Sequence, residues 1–354
     1  MEIIRKIFQD KFARAAFIVL SVLYFLIIFA DFITPYSDKY SNRELSYAPP
    51  SQIYIINEYG KLSRPYTYKY IREYDENLMQ TVYKEDKGQK YYIKLLVRGE
   101  RHKILGIIPT SRHLFGVDKG GELHILGTDI NGRDVFSRLL FGGRISMTVG
   151  FLSLLIVFPI GLLYGGISGY FGGIVDMLMM RFAEAVMAIP SFYLLIILAA
   201  ILPSGMTSIQ RFALIVVILA LIGWAGFARV VRGMVLSIKE EDFVQAEKVL
   251  GASNLRIILR HILPQTTSYV IIAMTLSVPS YILAESGLSF LGLGIQQPDA
   301  SWGNMLKEAQ EFTNILYRPW LLTPGGLIFI AVLSFNLLGD TIRDFLDPKS
   351  NIRK

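Results

Sequence analysis

The residue types that most often perform chemistry are few in this chain of 354 residues, and their spacing forms no catalytic or metal-binding pattern. The chain has no cysteine, which excludes disulfides, thiolate metal sites and cysteine nucleophiles. The four histidines, His102, His113, His124 and His261, lack the spacing of a zinc site. No G-x-x-x-x-G-K-S/T sequence occurs, so this chain lacks a nucleotide-binding loop of that kind. We predict no catalytic residue, no metal and no cofactor bound by this chain.

The most informative spacing lies in the segment Ser237–Pro264, SIKEEDFVQAEKVLGASNLRIILRHILP, which we call the elbow. Ser237 and Glu240 have the spacing of a capping box at the start of a helix. Glu240, Glu241 and Asp242 would complement the positive end of that helix's dipole. The pattern predicts that a first short helix begins close to Ser237.

The rest of the elbow predicts the end of this helix and a second helix after it. Phe243, Ala246 and Leu250 recur at helical spacing and share one face. Gly251 can adopt the left-handed conformation that ends a helix, and Ser253 can cap the next one, which runs to the proline. Two helices held at both ends can transmit a push as rigid-body movement. The alternative is an amphipathic connector on a membrane surface, and the pattern alone does not choose.

The elements around the elbow are strongly apolar. Hydrophobic residues make up 52% of the chain and charged residues 18%, with a mean hydropathy of +0.42. An ordinary globular domain has about 25% charged residues, so most of this chain must face lipid. We predict an all-α polytopic membrane protein with six transmembrane helices, since a span needs about 20 apolar residues. The six predicted spans are Phe12–Ile33, Ile145–Tyr164, Phe182–Leu202, Phe212–Ala228, Gln265–Ala284 and Trp320–Gly339.

Charge placement predicts the orientation of these spans. The first apolar run favours an uncleaved anchor over a signal peptide, because no small-x-small cleavage site follows before Asp31 and Pro35. With the N-terminus inside, the short cytoplasmic segments hold fifteen lysines and arginines and the short outer segments hold three. Both termini are therefore predicted to be cytoplasmic. The formal charge of +7 reflects orientation and is not the footprint of a nucleic acid.

The segment from Thr34 to Arg144 differs from the rest in composition. It holds twelve of the nineteen tyrosines, and its alternating stretches are typical of β-strands. We predict a small β-rich extracytoplasmic insert between the first two spans, more consistent with a tyrosine-rich solvated sheet than with an aromatic binding cleft. The predicted domains are residues 1–34 (cytoplasmic N-terminus and first span), 35–143 (extracytoplasmic domain), 144–345 (core of five spans, with a cytoplasmic loop at 229–263) and 346–354 (cytoplasmic tail).

Small residues and prolines recur within the spans. Four glycines at small-xxx-small spacing are predicted to pack helices closely rather than to line a pore. These glycines are Gly161, Gly165, Gly169 and Gly173. Prolines could break helices around a cavity or be tolerated as kinks. The prolines concerned are Pro159, Pro190, Pro203 and Pro279.

Polar residues near membrane depth give further candidates. Glu285 could line a substrate entrance or cap its span, and we group it with Pro279 and Ser286 as possible pathway or entrance residues. Arg181 and Glu184 are spaced for an ion pair.

Residues flanking the predicted spans are expected to fix their ends. Asp129, Arg133 and Asp134 are expected to fix the start of the second span through hydrogen bonds and ion pairs. Trp302 and Trp320 suit anchors at the membrane interface.

Three stretches resemble one protein family. The elbow resembles the "EAA" loop of binding-protein-dependent ABC importer permeases, E-A-A-x3-G-x9-I-x-L-P. The matching residues are Ala246, Gly251, Leu263 and Pro264, and the departures are Gln245, Glu247 and His261. Leu126–Met147 is similar to the hallmark that precedes the second span in the C-type subunits of oligopeptide and dipeptide permeases. Ala284–Leu306 is similar to the outer segment after their fifth span.

The resemblance implies a type I ABC importer permease in a bacterial cytoplasmic (inner) membrane. Its implied partners are the lipid bilayer, a second homologous permease subunit, two cytoplasmic ATPase subunits that hold ATP and Mg, and an extracytoplasmic solute-binding protein that delivers peptide. The implied ATPase-coupling residues are Glu240, Glu241, Asp242, Phe243, Ala246, Glu247, Gly251, Leu263 and Pro264. Related subunits serve dipeptides, oligopeptides or non-peptide solutes such as nickel complexes.

Two other classes of protein remain as alternatives. An ion-coupled secondary transporter should show an inverted repeat and paired acidic residues at mid-membrane depth, and neither stands out in the predicted spans. A membrane receptor should carry a sizeable cytoplasmic output domain, whereas the longest predicted cytoplasmic stretch is the loop between the fourth and fifth spans.

Overall fold

The structure is a computed structural model that describes residues 2–76, 80–104, 107–203 and 205–346. Within these ranges the chain forms thirteen α-helices and four β-strands. The helices are α1 (Glu2–Gln9), α2 (Lys11–Ile28), α3 (Ala30–Ile33), α4 (Val135–Phe171), α5 (Gly173–Ala188), α6 (Ser191–Ala200), α7 (Ser208–Ile238), α8 (Asp242–Val249), α9 (Asn254–Ile257), α10 (Thr267–Phe290), α11 (Trp302–Leu306), α12 (Phe312–Tyr317) and α13 (Thr323–Leu346). Of the predicted tail 346–354, residues 347–354 lie outside the described residues.

Five helical stretches in the described residues are long and apolar enough to cross a membrane. They are Lys11–Ile28, Val135–Phe171, Ser208–Ile238, Asn254–Phe290 and Pro319–Leu346. A sixth crossing exists if α5 and α6, which meet at a bend of 78°, form one broken span. The chain is therefore mostly helical, with five or six candidate membrane spans.

Most of these helices extend beyond the apolar windows that hydropathy marks. The predicted spans Ile145–Tyr164 and Gln265–Ala284 lie inside helical stretches of 37 residues each. At about 1.5 Å per residue, such a helix is far longer than the roughly 30 Å of bilayer hydrocarbon. Hydropathy locates the lipid-facing part, whereas backbone hydrogen bonding continues into the polar flanks. For the same reason, most of the predicted loop 229–263 is not a loop, because residues 229–238 and 254–263 extend the neighbouring spans.

The predicted third span, Phe182–Leu202, is not one straight helix. Helix α5 ends at Ala188, and α6 begins at Ser191 after the bend. Pro190 lacks an N–H group, and a residue before proline is pushed towards extended backbone, as Ile189 is with φ −81° and ψ 124°. Pro190 therefore lies at the break between α5 and α6.

The other prolines near the spans do not share this role. Pro159 and Pro279 lie inside the continuous helices α4 and α10. Pro203 follows the end of α6.

The chain divides into two compact units. The bundle unit consists of Met1–Leu20, Met147–Leu288 and Phe329–Lys354. The sheet unit consists of Ser21–Ser146 and Ser289–Ile328.

The sheet unit contains a four-stranded antiparallel sheet between α3 and α4. Its strands are β1 (Tyr54–Ile56), β2 (Leu62–Asp75), β3 (Gln80–Ile104) and β4 (Ile108–Val117), hydrogen-bonded in the order β1-β2-β3-β4. The first half of the long β3 pairs with β2, as in Tyr66 opposite Tyr92. Its second half pairs with β4, as in Leu95 opposite Phe115.

Several tyrosines pack this sheet instead of facing solvent. Tyr66 and Tyr68 are almost fully buried, and the rings of Tyr54 and Tyr66 stack with centroids 5.6 Å apart. Tyr70 donates from its hydroxyl group to the carbonyl oxygen of Pro50 at 3.0 Å. Because an aromatic ring fills a core while its hydroxyl group reaches a polar partner, tyrosine can form the core of so small a sheet.

Helices α4 and α7 of the bundle unit pack backbone to backbone. A Cβ atom added at Gly169 would lie 2.8 Å from the carbonyl oxygen of Arg232, and one added at Gly165 would clash with the carbonyl oxygen of Ala228. Gly161 also faces α7 without room for a side chain. These three glycines let the two helices approach closely, as small-xxx-small spacing allows.

Gly173 does not share this packing role, which corrects the prediction for the fourth glycine. A Cβ atom at Gly173 would meet nothing within 4 Å. Gly172 and Gly173 instead have φ of +66° and +56°, a conformation that glycine adopts at little cost. They form the turn from α4 to α5.

Candidate functional site

The first helix of the elbow, α8, begins later than its sequence pattern predicts. Its N-cap is Glu241, whose side chain makes no capping hydrogen bond. Ser237 lies in the last turn of α7, so the predicted capping box at Ser237 is wrong. The reason is that α7 continues past its apolar part and absorbs the residue that would have capped a new helix. Asp242 remains in the first turn of α8, where its charge complements the helix dipole.

The end of α8 follows the sequence prediction. Gly251 has φ of +81° and donates its N–H to the carbonyl oxygen of Lys248 at 3.0 Å. The next residue, Ala252, donates to the carbonyl oxygen of Glu247 at 3.1 Å. These two bonds form a Schellman motif, which requires a left-handed residue after the helix.

The second half of the elbow joins the following span without a break. Ser253 occupies the N-cap position of α9, but its side chain makes no capping bond. A π-helical turn (Ile258–Ile262) and a 3-10 turn (Leu263–Thr266) then connect α9 to α10. These turns accommodate Pro264, which has no N–H to donate. The sequence predicts that a new helix begins at Pro264. This prediction is wrong, because helical turns continue through Pro264 into α10.

The residues that depart from the EAA pattern all make contacts inside the elbow. Gln245 donates from Nε2 to the carbonyl oxygen of Lys239 at 2.9 Å. Glu247 and His261 lie opposite each other, with Oε1 and Nε2 3.6 Å apart. Together with Val244, which is fully buried, these contacts hold α8 against the ends of the two spans.

Most of the predicted coupling residues are on the surface. Glu240, Glu241, Asp242, Phe243, Ala246, Gly251 and Pro264 are exposed, whereas Glu247 and Leu263 are half-buried. Three large apolar residues that sequence reasoning did not single out for coupling are also exposed: Val249 (88%), Leu250 (80%) and Leu255 (59%). We call Phe243, Ala246, Val249, Leu250 and Leu255 the elbow face. Clustered exposed apolar side chains are typical of an interaction surface.

The bundle unit also contains an open cavity of about 610 Å³. It lies between the α5–α6 bend, α7 and α10. Fourteen of the described residues line it; Ser191, Ser277, Ser280 and Tyr281 among them carry hydroxyl groups, and none of the fourteen carries a charge. The remaining lining residues are Val186, Met187, Ile189, Pro190, Leu195, Leu219, Ile222, Gly223, Gly226 and Ala284. Such a surface can form hydrogen bonds to amide groups through its hydroxyl groups, and it favours neither sign of charge on a ligand.

None of the three candidate pathway residues lines this cavity. Pro279, Glu285 and Ser286 are all buried, whereas their neighbours Ser280 and Ala284 are in the cavity wall. The three predicted residues are close in the sequence to residues of the cavity wall, but the rotation of α10 about its axis turns them away from it.

The polar stretch before α4 forms a buried charge cluster in the sheet unit. Asp129 accepts from Nε of Arg133 at 2.6 Å, and Nε of Arg138 lies 3.4 Å from the same carboxylate. Asp134 accepts from the backbone N–H and the hydroxyl group of Ser137, both at 2.7 Å. This places Asp134 as the cap of α4, in agreement with the predicted role of fixing the start of this helix.

Trp302 also packs in the sheet unit and does not act as the predicted interface anchor. It is fully buried and donates from Nε1 to the carbonyl oxygen of Leu139 at 2.9 Å.

Arg181 and Glu184 form the predicted ion pair at 3.1 Å, on an exposed face of α5.

A buried carboxyl group, Glu308, completes the charge cluster. It accepts from the backbone N–H of Ile130 at 3.1 Å, and Arg133 lies 3.7 Å away. Burial, reinforced by the negative charge of Asp129, raises the pKa of Glu308 from 4.5 to about 7. The folded protein therefore holds a proton that the unfolded chain releases near pH 4.5.

We expect Glu308→Gln to flatten the dependence of stability on pH. Because the folded-state pKa of Glu308 is raised, its ionisation destabilises the fold progressively from pH 4.5 to about 7. The loss at pH 8 is on the order of 3 kcal/mol, and glutamine, which mimics the protonated acid, avoids it. Thermal unfolding of the purified protein should show the variant more stable than wild type at pH 8 and equal to it near pH 4.5.

The matched control is Glu311→Gln, which neutralises an exposed carboxyl group of the same segment. It should leave the pH profile of the wild-type chain unchanged. Equal profiles for Glu308→Gln and the wild-type chain would contradict the buried-acid interpretation.

Comparisons with known proteins agree with the resemblance drawn from the elbow. Residues 159–352, more than half of the chain, match the family described as binding-protein-dependent transport system inner membrane component. Residues 1–50 match the N-terminal transmembrane domain of oligopeptide transport permease C.

Individual relatives extend this agreement. The dipeptide transport system permease protein of Bacillus subtilis is 46% identical over 228 residues, which cover 64% of this chain and 69% of the relative. The oligopeptide transport system permease protein of the same organism is 40% identical over 242 residues, covering 68% and 77%. That of Haemophilus influenzae is 43% identical over 227 residues, covering 64% and 70%.

The apolar spans and these matches define a multi-pass permease of an inner membrane. The chain belongs to the family of binding-protein-dependent transport system inner membrane components, as a C-type permease of the oligopeptide and dipeptide kind.

Proposed function

We propose that this chain is the transmembrane permease subunit of an ATP-driven importer of peptides, and that it forms half of the translocation pathway. The observation that carries the proposal is the continuity between the elbow and the cavity. Helices α7 and α10 both line the cavity, and the elbow is built directly on their ends. A force applied to the elbow face therefore reaches the cavity wall through two unbroken helices.

The proposed motor is a pair of ATPase subunits that carry ATP and Mg on their own chains. One ATPase docks on the elbow face, with Glu240, Glu241 and Asp242 around its rim and Gly251 shaping its end. Apolar side chains that are exposed in the isolated chain become buried in such a contact. Glu247 and Leu263, which are half-buried, hold the elbow together behind this surface.

The proposed topology places the elbow and both termini in the cytoplasm. Lysines and arginines concentrate on the predicted cytoplasmic segments, which supports this orientation. The sheet of residues 54–117 then lies outside the membrane, where a solute-binding protein delivers the substrate. A second, homologous permease supplies the other half of the pathway, and no nucleic acid is involved.

The proposed substrate class is peptides. The relatives are named as dipeptide and oligopeptide permeases, and the cavity offers hydroxyl groups without a fixed charge. A zwitterionic peptide of variable side chains can pass such a wall without being trapped by one ion pair. Among the described residues of this wall there is no carboxylate or imidazole for a nickel complex, and no acidic pair for ion coupling.

The proposal is tested with proteoliposomes that contain this chain, the second permease and the ATPases. Uptake of a labelled peptide should require both ATP and the solute-binding protein, and should be insensitive to a protonophore. Labelled dipeptides, pentapeptides and a nickel complex, offered in turn, identify the substrate class. Uptake that persists without nucleotide but stops when the proton gradient collapses would reject the proposal.

A further inference from the structure

A partly buried ion pair ties α5 to α7 in the bundle unit. Asp176 of α5 accepts from Nε of Arg232 at 2.9 Å, and its second oxygen accepts from Nη2 of the same arginine. Ser168 of α4 donates its hydroxyl group to the Asp176 carboxylate at 2.5 Å. Ser168 is fully buried and Asp176 nearly so. Two parallel bonds from one guanidinium fix the orientation of the partner as well as its distance.

This pair lies at the elbow end of the bundle. Arg232 is six residues before Ile238, where α7 ends, which corresponds to about 9 Å along the helix. Gln245 of α8 is bonded to the carbonyl oxygen of Lys239 directly after that end. The backbone at Arg232 is in close contact with Gly169 of α4.

The other end of α5 reaches the cavity. From Asp176 the helix runs to Ala188, where the 78° bend begins. Met187, Ile189 and Ser191 around this bend are part of the cavity wall.

The N-terminal end of α5 follows a turn of two glycines. Gly172 and Gly173, both at positive φ, connect it to α4, and glycine permits rotation that other residues resist. Next to this turn, the ion pair adds a side-chain connection from α5 to α7.

We propose that the Asp176–Arg232 pair is a positioning pair that makes α5 follow α7 when the ATPases move the elbow. The pair thereby couples nucleotide state to the cavity wall at residues 187–191. This inference rests on the proposed function, since it assumes that the elbow receives the motor. It assigns to Asp176 and Arg232 a role in coupling, without contact to peptide or to nucleotide.

The test uses the complete complex in proteoliposomes and measures peptide taken up per ATP hydrolysed. Asp176→Asn, which removes the charge and keeps the size, should lower this ratio by about twofold to thirtyfold, the range typical of residues that couple two sites. ATP hydrolysis and the ATPase content of the complex should change little. Glu184→Gln is the matched control, because it removes an ion pair with Arg181 that is exposed on the same helix.

A second readout reports the cavity wall directly. Because the chain has no cysteine, Ser191→Cys gives it a single thiol whose reactivity with a charged reagent can be measured with and without a non-hydrolysable ATP analogue. The analogue should change this reactivity in the otherwise wild-type chain and leave it unchanged when Asp176→Asn is added. If Asp176 had a purely structural role, Asp176→Asn would not abolish the nucleotide-dependent change in thiol reactivity.

The outcomes separate the two proposals. If uptake by the wild-type complex does not depend on ATP, the proposed function fails. If it does, but Asp176→Asn keeps the wild-type ratio and the nucleotide-dependent reactivity, the positioning role is overturned. Should Asp176→Asn not assemble, Arg232→Lys takes its place, because it keeps the charge and loses the paired bonds. A wild-type ratio in Arg232→Lys overturns the role equally.

Discussion

Replacing Gly251 with valine is expected to abolish ATP-driven uptake while the chain remains in the membrane. At φ of +81° a left-handed backbone costs an L-residue about 1–2 kcal/mol, and a β-branched side chain is the least tolerated there. The Schellman bonds to Lys248 and Glu247 would be lost, and the elbow face would change shape. Since about 1.4 kcal/mol is a tenfold change in affinity, we expect ATPase binding to weaken by about tenfold or more. Co-purification of the ATPases with the complex measures this loss.

The control for this prediction changes the side chain but not the backbone conformation. Gly251→Asn should retain the ATPases, because asparagine accepts the left-handed region and no atom lies within 4 Å of a Cβ at this position. Membrane insertion should be normal in both variants. Full ATPase content and transport in Gly251→Val would show that the elbow is not the docking surface.

Replacing Gly165 with alanine is expected to destabilise the bundle strongly. The added methyl group would clash with the carbonyl oxygen of Ala228 and lie 2.9 Å from the backbone nitrogen of Arg232. Backbone atoms cannot move aside as the end of a side chain can, so α4 and α7 must separate. Overpacking of this kind costs about 1–3 kcal/mol, and we expect a lower thermal unfolding midpoint and less folded protein in the membrane.

Gly233→Ala is the matched control on the facing helix. A Cβ atom there would meet nothing within 4 Å, and alanine is preferred over glycine in a helix by about 1 kcal/mol. The control should therefore be as stable as the wild-type chain or slightly more stable. If Gly165→Ala were as stable as this control, α4 and α7 would not be in close backbone contact at Gly165.

Local features of this protein follow well from its sequence. The glycine that ends α8 is recognisable because a Schellman motif is formed within a few residues. The apolar stretches and the alternating tyrosine-rich strands are equally local, since each depends on the side-chain period of one element. The glycines at positions 161, 165 and 169 follow the same logic, whereas Gly173 has the right spacing but lies at a turn.

Features that depend on contacts between elements could not be predicted from the sequence of one segment. The capping box at Ser237 is absent because α7 runs on through it. Burial, reinforced by the charge of Asp129, raises the pKa of Glu308, although Asp129 and Glu308 are far apart in the chain. Tryptophan is a residue type that often anchors a span at the membrane interface, but Trp302 is instead buried against α4.

By itself, the sequence determined a membrane-embedded helical chain, its elbow and the family to which it belongs, because hydropathy, helix ends and motif spacing are properties of neighbouring residues. Only the tertiary structure decided which residues surround the cavity, that Asp176 holds Arg232 and that Ser280 rather than Pro279 faces the open space. Those facts depend on how far each helix extends, where α5 and α6 bend and how each helix is rotated against its neighbours. Helix packing sets these quantities, and no single segment encodes them.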